Sequence, residues 1–262
     1  MAKASAEAIR RMKAEGRKIV MLTAYDCPSA QWVEDAGVDV LLVGDSLGVV
    51  VLGFESTRDV TMEVMLTHVA AARRGAPNTH LVADMPYRSY ETPEIALTNA
   101  RHFVDVGADS VKLEGAVLDA AEAVRSAGIE VMGHVGLLPQ TATSYKARGR
   151  DDVEAEAIRR DAKSLERAGC FSIVLEHMPL GLGRTITEDL TIPTIGIGAG
   201  PHCDGQVLVL HDMLGFFNGK ARFKPPFLKR YAEVGKMATE GCRKYVEEVR
   251  AGIYPDLAHS TR

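Results

Sequence analysis

The sequence predicts an α/β fold, the closed (β/α)8 or TIM barrel in which eight parallel strands alternate with helices. Apolar runs and segments of helical periodicity alternate along the chain, and eight such runs are present. The 262 residues suit a single barrel, and an apolar content of 46% provides for one large core. An open doubly wound sheet is the alternative, and the count of eight favours the barrel. We therefore expect one barrel domain over residues 1–262.

Each predicted strand is a short run rich in Val, Ile and Leu that ends near a polar residue or a glycine. Runs of this kind, bounded by turn residues, are typical of strands. The eight runs are Ile19–Ala24, Val38–Gly44, His80–Ala83, Ser110–Leu113, Glu130–His134, Phe171–Leu175, Thr194–Ile197 and Gln206–Leu210.

Five predicted helices stop at a glycine that comes just before the next strand, the usual end of a helix in an αβ loop. Start signals support two of them, because Pro28 suits a first helical turn and Thr92 can cap a helix beginning at Pro93. Further helices are expected at the N-terminus and over about 227–250. The five are Pro28–Ala36, Thr61–Arg74, Pro93–Val106, Asp119–Ala127 and Asp152–Ala168.

Composition argues against several classes of protein. The net charge is −4 and the 31 Lys and Arg are scattered, which is wrong for a nucleic-acid binder. The longest apolar stretch, 38–54, is interrupted by Asp39 and Asp45 and does not suit a membrane helix. The N-terminus lacks the apolar segment of a secretion signal, and the four cysteines form no CxxC pair. We expect a cytoplasmic protein without disulfides or a zinc site.

Charged residues collect at the predicted strand ends, where a barrel has its active site. Asp45 and Asp84 end neighbouring strands, and Lys112 and Glu114 share one strand face. Carboxylates this close repel one another, and Mg²⁺ relieves the repulsion because it prefers oxygen ligands. Glu176 adds a further carboxylate. Carboxylates, Mg²⁺ and a lysine together indicate 2-oxo acid or enolate chemistry.

These residues also have plain structural interpretations. An Asp at a strand end is often a helix N-cap, and it is the combination with a lysine and a glutamate that favours a site. Asp26 is expected to be a cap, and His134 suits a core position as well as an active-site one. His211 and Asp212, after the eighth strand, are expected to be structural. The glycines of GIGAG (196–200) lack the spacing of a dinucleotide-binding loop.

Several longer motifs together resemble the ketopantoate hydroxymethyltransferase family, in register from about residue 17 to the C-terminal YPDLAHS. The resemblance implies a barrel of the phosphoenolpyruvate/pyruvate type. It also implies transfer of a hydroxymethyl group from 5,10-methylenetetrahydrofolate to 3-methyl-2-oxobutanoate, giving 2-dehydropantoate in pantothenate biosynthesis. The motifs are MLTAYD (21–26), GDSLGVVVLG (44–53), HVAAARRGAPN (68–78), ADMPYRSYETPE (83–94), KLEG (112–115), GHVGLLPQ (133–140) and IPTIGIGAG (192–200).

The resemblance assigns roles at the strand ends. Asp45 and Asp84 would bind Mg²⁺, with Glu114 in the same metal site, and the two aspartates would thereby take part in substrate binding. Ser46 and Lys112 would contact the substrate carboxylate.

Glu176 would be the catalytic proton acceptor, acting either at C3 of the keto acid or on the folate nitrogens. Tyr25 and His134 would support the site. The family forms homo-oligomers, commonly decamers, and the helix over 227–250 would pack across subunits.

After Pro179 the chain reads LGLGRTIT, where the family has an acidic, helix-favouring stretch. The loop over 140–150 looks shorter than is usual in the family. Both departures follow strands at the mouth of the site, so they concern the contacts with folate.

Two other functions fit the same residues. One is a Mg²⁺-dependent carbon–carbon lyase or mutase of the same superfamily, acting on another 2-oxo acid. Such enzymes carry a cysteine in a gating loop, and none of the four cysteines follows the fourth or fifth strand. The other is a catalytically impaired paralogue that binds ligand without folate chemistry, and the retained polar residues argue against it.

Overall fold

A closed barrel of eight parallel strands organises the first part of the chain, in a computed structural model that describes residues 4–217 and 225–261. Each strand pairs with the next in sequence, and β1 pairs with β8. The predicted fold class is confirmed. The strands are β1 (Ile19–Thr23), β2 (Val40–Val43), β3 (His80–Asp84), β4 (Ser110–Lys112), β5 (Glu130–Gly136), β6 (Ser172–Glu176), β7 (Thr194–Ile197) and β8 (Gly205–Leu208).

Helices alternate with the strands of the barrel, and the predicted N-terminal helix, α1, is present. A short 3-10 helix, Thr57–Asp59, lies between β2 and β3. The helices of this part are α1 (Ala6–Ala14), α2 (Cys27–Asp35), α3 (Leu47–Val50), α4 (Met62–Gly75), α5 (Pro93–Asp105), α6 (Leu118–Ser126), α7 (Asp152–Arg167) and α8 (Leu180–Asp189).

Side-chain caps begin the helices at the predicted places. The Asp26 carboxylate accepts a hydrogen bond from the Ser29 N–H at 2.7 Å, and Ser29 returns the contact in a capping box. Thr92 Oγ1 accepts from the Ile95 N–H at 3.3 Å, directly before Pro93 at the start of α5. The expectation that Asp26 is a cap residue is therefore confirmed.

The glycines that follow the helices have two different functions. Four of the five predicted stops have a positive φ, between +76° and +108°, as a left-handed helix end requires. Gly75 differs, because it belongs to α4 and a Cβ there would lie 2.1 Å from the Cys27 carbonyl oxygen. This glycine permits close packing of α4 on α2 and does not form a left-handed turn. The four are Gly37, Gly107, Gly128 and Gly169.

Helix α8 was not predicted, because Gly181 and Gly183 lower its helix propensity. Tertiary packing overrides that propensity. Gly183 and Ile186 are buried, and a Cβ on Gly183 would lie 2.4 Å from the Ala199 carbonyl oxygen. Thr187 Oγ1 donates to the Gly183 carbonyl at 2.8 Å inside the same helix. The segment after Pro179 is thus a glycine-containing helix that packs closely on the chain after β7.

The barrel interior is an apolar cluster that α1 closes at the N-terminal ends of the strands. Ile9 of α1 has no exposed surface and packs in one cluster with strand residues such as Met21, Val40 and Val207. Burying side chains of this size contributes about 1.5–3 kcal/mol each. The opposite end, where the strands terminate, is the end at which a barrel builds its active site.

The chain divides into two compact units, Met1–Val209 and Leu210–Arg262. The first contains the whole barrel. The second contains α9 (Leu210–Met213), α10 (Val234–Arg250) and a 3-10 helix, Leu257–His259. That residues 1–262 form one domain stays a prediction. None of the helices in the described ranges has the length and apolar character that a membrane crossing requires.

Two predicted boundaries near the C-terminus are wrong. The eighth strand ends at Leu208, so His211 and Asp212 lie in α9 and do not end a strand. The last helix begins at Val234 and not near 227. Before it, the N–H of Tyr231 donates to the Met213 carbonyl at 2.8 Å, so this backbone pairs with the end of α9 and does not form a helical bond.

Candidate active site

Five charged or titratable side chains predicted from the strand ends meet inside the C-terminal end of the barrel. All are buried, with 2–6% of their surface exposed. Four of them follow or end β2, β3 and β4, and His134 lies within β5, so adjacent strands supply them in order. The parallel register sets Asp84 directly beside Lys112. The five are Asp45, Asp84, Lys112, Glu114 and His134.

Lys112 and Asp84 form the central ion pair. Lys112 Nζ lies 2.7 Å from Asp84 Oδ1, and the Asp45 backbone N–H donates to Asp84 Oδ2 at 3.2 Å. Burial raises the pKa of Asp84, and Lys112 opposes that rise. Burial lowers the pKa of Lys112, but Asp84, Glu114 and Asp45 outweigh burial and raise it. Lys112 therefore stays charged and holds a positive charge in the middle of the site.

Of the three carboxylates around Lys112, Asp45 is the one whose negative charge is least balanced by nearby positive charge. Its Oδ2 accepts a hydrogen bond from Gln140 Nε2 at 2.9 Å. Burial, followed by repulsion from Asp84 and Glu114, raises the pKa of Asp45 well above its usual range. Three carboxylates thus surround one lysine, and the site is short of positive charge.

His134 lies buried between two glutamates, and its Nδ1 is 3.4 Å from Lys112 Nζ, so it lies among the candidate site residues. Its Nε2 is 3.2 Å from Glu176 Oε2, and its Nδ1 is 3.6 Å from Glu114 Oε1. Burial and Lys112 both lower the pKa of His134, but hydrogen bonds to Glu114 and Glu176 outweigh them and raise it to about 9. His134 therefore holds a proton at neutral pH and links the two carboxylates.

Tyr25 and Ser46 form a hydroxyl pair beside this group. Tyr25 follows β1 and is almost fully buried, and its hydroxyl lies 2.9 Å from Ser46 Oγ. The Ser46 side chain does not cap α3, so its hydroxyl is available to face the barrel mouth. The structure thus brings Ser46 and Tyr25 together, and their roles toward the substrate stay predictions.

Glu176 ends β6 and is the most accessible of the carboxylates, with 17% of its side chain exposed. The next residue, His177, has a φ of +45°, which is unusual for a residue with a side chain. A cavity of about 280 Å³ lies along the segment after β5, lined by Gly136, Thr141 and Arg148 among others. Gly136 pairs with Glu176 across β5 and β6, so this cavity adjoins the Glu176 strand end.

Gln140, a residue with no exposed surface, was not predicted as a site residue. Its side chain contacts Asp45, and its backbone N–H donates to Glu114 Oε2 at 3.0 Å. Tyr90, whose hydroxyl donates to Gln140 Oε1, was also missed. Burial and then Glu114 raise the pKa of Tyr90, so this hydroxyl stays protonated. The only sequence signal was the position of Gln140 at the end of GHVGLLPQ.

The donor set of this site fits a hard divalent cation. Within residues 4–217 and 225–261, no three His, Cys, Asp or Glu side chains are grouped as a ready-made metal cluster. Mg²⁺ commonly takes one or two protein carboxylates and completes its shell with water or substrate oxygens, so Asp45 and Asp84 are sufficient. Glu114 contacts His134 and the Gln140 N–H. Its role as a direct metal ligand stays a prediction.

Comparison with known proteins agrees with this geometry. The phosphonopyruvate hydrolase solved with oxalate and Mg²⁺ shares 14% identity, with 100% of this chain and 92% of that chain covered and a TM-score of 0.67. The 2,3-dimethylmalate lyase, a member of the PEP mutase/isocitrate lyase superfamily, is 17% identical, with 100% of this chain and 92% of that chain covered and a TM-score of 0.63. At these identities the likeness shows the fold alone, the closed (β/α)8 barrel.

Sequence comparison shows the family. A relative from Thermus thermophilus, the 3-methyl-2-oxobutanoate hydroxymethyltransferase, is 52% identical over 254 residues, which cover 94% of this chain and 96% of that protein. The family model for ketopantoate hydroxymethyltransferase matches residues 3–257. The chain therefore belongs to the ketopantoate hydroxymethyltransferase family.

Proposed function

We propose that this enzyme transfers a hydroxymethyl group from 5,10-methylenetetrahydrofolate to 3-methyl-2-oxobutanoate and releases 2-dehydropantoate for pantothenate biosynthesis. The Thermus relative's name supports the activity and the keto acid substrate. One observation carries the chemistry: a buried, charged Lys112 is surrounded by Asp45, Asp84 and Glu114 at the barrel mouth, with the His134–Glu176 pair beside it.

Asp45 and Asp84 would hold Mg²⁺, with Glu114 as the third predicted member of the metal site. When bound, the ion supplies positive charge to the keto and carboxylate oxygens and acidifies the neighbouring carbon. The buried excess of carboxylates supports a cation here. The phosphonopyruvate hydrolase complex adds support, because on the same fold it contains Mg²⁺ and oxalate, a small dicarboxylate.

The side chains of this protein perform the remaining tasks. Lys112 contributes a fixed positive charge beside the enolate oxygen. Ser46, held by the Tyr25 hydroxyl, donates a hydrogen bond to the substrate carboxylate. Glu176 is the proton acceptor, either at C3 of the keto acid or on the folate nitrogens, and the protonated His134 at 3.2 Å keeps its carboxylate oriented.

The reaction balances with one water molecule. The C3–H bond breaks, C3 forms a bond to the one-carbon unit, water provides the hydroxyl oxygen, and tetrahydrofolate leaves. The folate would occupy the 280 Å³ cavity beside Glu176, where Thr141, Thr143 and Arg148 offer polar contacts.

Self-association into a homo-oligomer, with the decamer of the family as the expected size, completes the proposal. Its support comes from α10, which buries none of its residues and carries exposed Met237, Tyr245 and Val249. The cytoplasmic location expected from the sequence stays a prediction.

The assay combines the protein with 3-methyl-2-oxobutanoate, Mg²⁺ and methylenetetrahydrofolate, and detects 2-dehydropantoate by mass spectrometry. In D₂O without folate, the wild type should exchange the C3 proton, and Glu176→Gln should lose that exchange if Glu176 acts at C3. Asp84→Ala should lose both activities, whereas Asp105→Ala, an exposed matched control at the end of α5, should lose neither.

The alternative functions give different results in the same assay. C3 exchange without product indicates a paralogue that has lost folate chemistry. No product from 3-methyl-2-oxobutanoate, together with cleavage of another 2-oxo acid supplied in its place, indicates a lyase. Normal exchange in Asp84→Ala contradicts the assignment of the metal ligands.

A further inference from the structure

We propose that Gln140 is a positioning residue of the metal site: its side-chain amide, oriented by Tyr90, holds the Asp45 carboxylate in the position in which it binds the cation. The inference rests on the proposed function, since it concerns the same site. Gln140 reaches this carboxylate across 95 residues of sequence.

Gln140 connects the ends of four neighbouring strands. Its Nε2 donates to Asp45 Oδ2, after β2, and to the Met85 carbonyl, after β3, both at 2.9 Å. Its backbone N–H donates to Glu114 Oε2, after β4, at 3.0 Å. Gln140 itself follows β5. One residue therefore contacts two of the three carboxylates assigned to the cation.

The orientation of the amide is fixed by its partners. The Asp45 carboxylate and the Met85 carbonyl are acceptors, so only an NH₂ group can face both of them. The amide oxygen then faces Tyr90, whose hydroxyl donates to it. A reversed amide would place oxygen against two acceptors in a buried site, which is costly. Tyr90 thus determines which end of the amide meets Asp45.

Hydrogen bonds from Arg58 fix the backbone at Gln140. Arg58, in the 3-10 helix Thr57–Asp59, donates through Nε to the Gln140 carbonyl at 2.7 Å and through Nη2 to the Ala142 carbonyl at 3.1 Å. The loop after β2 and the loop after β5 are therefore linked above the site. Together, Arg58 and Tyr90 leave the Gln140 side chain little freedom to move away from Asp45.

A fully buried amide is costly unless its donors and acceptor are paired, and here each of them meets a partner. Filling space alone would not need a donor directed at the Asp45 carboxylate, so the residue type points to a role at Asp45. Groups that hold the ligands of a metal ion orient those ligands, and their loss typically lowers metal affinity by about 10- to 100-fold.

The test measures cation binding as well as turnover. Gln140→Met keeps the length of the side chain and removes the donors, Tyr90→Phe removes only the orienting hydroxyl, and Gln31→Met makes the same change at an exposed site on α2. Mn²⁺ serves as a spectroscopic probe for a hard cation, and binding to the substrate-free full chain is followed by electron paramagnetic resonance. Melting temperature and circular dichroism report folding.

For Gln140→Met we expect the Mn²⁺ dissociation constant to rise about 10- to 100-fold, with a parallel rise in the Mg²⁺ concentration that half-activates turnover. Tyr90→Phe should raise it about two- to tenfold, the effect of one hydrogen bond. Gln31→Met should leave it unchanged.

Unchanged Mn²⁺ affinity in Gln140→Met, with a lower melting temperature, would show that Gln140 only stabilises the fold and would overturn the inference. If that variant does not fold, Tyr90→Phe decides, and wild-type affinity in it overturns the inference equally. A wild type that binds no Mn²⁺ and makes no product contradicts the proposed function itself, a result distinct from the others.

Discussion

Removing Lys112 tests the electrostatics on which the whole site depends. Its ammonium lies 2.7 Å from Asp84 Oδ1 and 3.8 Å from Glu114 Oε1, and only 3–5% of these side chains is exposed. In Lys112→Met the side-chain volume is nearly kept, but the carboxylates lose their ammonium partner. Breaking a buried ion pair from one side costs about 3–5 kcal/mol, because the remaining charge stays buried without compensation. We therefore expect the free energy of unfolding to fall by that amount.

The assay is urea unfolding of the metal-free protein, followed by circular dichroism, for the wild type, Lys112→Met, Asp84→Asn and the double variant. Because Asp84 and Lys112 are in contact, their effects should not add. The double variant should be less destabilised than the sum of the single variants, by about 0.5–3 kcal/mol. A Lys112→Met protein within about 1 kcal/mol of the wild type, or strict additivity, would refute this electrostatic coupling.

Three further predictions concern the barrel. Ile9→Ala leaves a cavity at the N-terminal end of the barrel cluster, so the free energy of unfolding in urea should fall by about 2–5 kcal/mol. A fall below about 1 kcal/mol would contradict the conclusion that α1 closes this end of the barrel. Gly75→Ala should lower the melting temperature relative to Gly241→Ala in α10, because a Cβ at Gly75 would lie 2.1 Å from the Cys27 carbonyl oxygen whereas a Cβ at Gly241 would have no neighbour within 4 Å. Equal shifts would argue against close packing of α2 and α4. Burial raises the pKa of Cys170 to about 12, so its thiol is neutral in the folded state at about pH 8. Cys170 should therefore resist a thiolate-specific reagent until urea unfolds the chain. Rapid labelling of Cys170 in the native protein would contradict its burial.

The strand ends explain why most of the candidate site was predictable. A parallel barrel places the residue after each strand at the same end, so Asp45, Asp84 and Lys112 could be brought together from strand positions alone. The structure then adds what periodicity cannot provide, such as the 2.7 Å contact between Lys112 and Asp84.

Gln140 could not be predicted from strand positions. It lies in a loop after β5, and its partner Asp45 is 95 residues away in sequence. The path of a loop depends on tertiary contacts, here the two Arg58 hydrogen bonds, and no local pattern encodes them. Gly75 shows the same limit in the fold, since a glycine needed for close packing looks like one needed for a left-handed turn.

Charge balance links the geometry of the site to its proposed use. Asp45, Asp84, Glu114 and Glu176 face one ammonium and one protonated imidazole, Lys112 and His134, so two negative charges remain when all four are ionised. That remainder equals the charge of one divalent cation. A protein selected for stability alone would not bury such an excess, because uncompensated charge in the interior is costly. Burial, with repulsion from Asp84 and Glu114, raises the pKa of Asp45 well above its usual range, and Gln140 holds this carboxylate with uncharged donors only, which supports the proposed binding of the cation by Asp45.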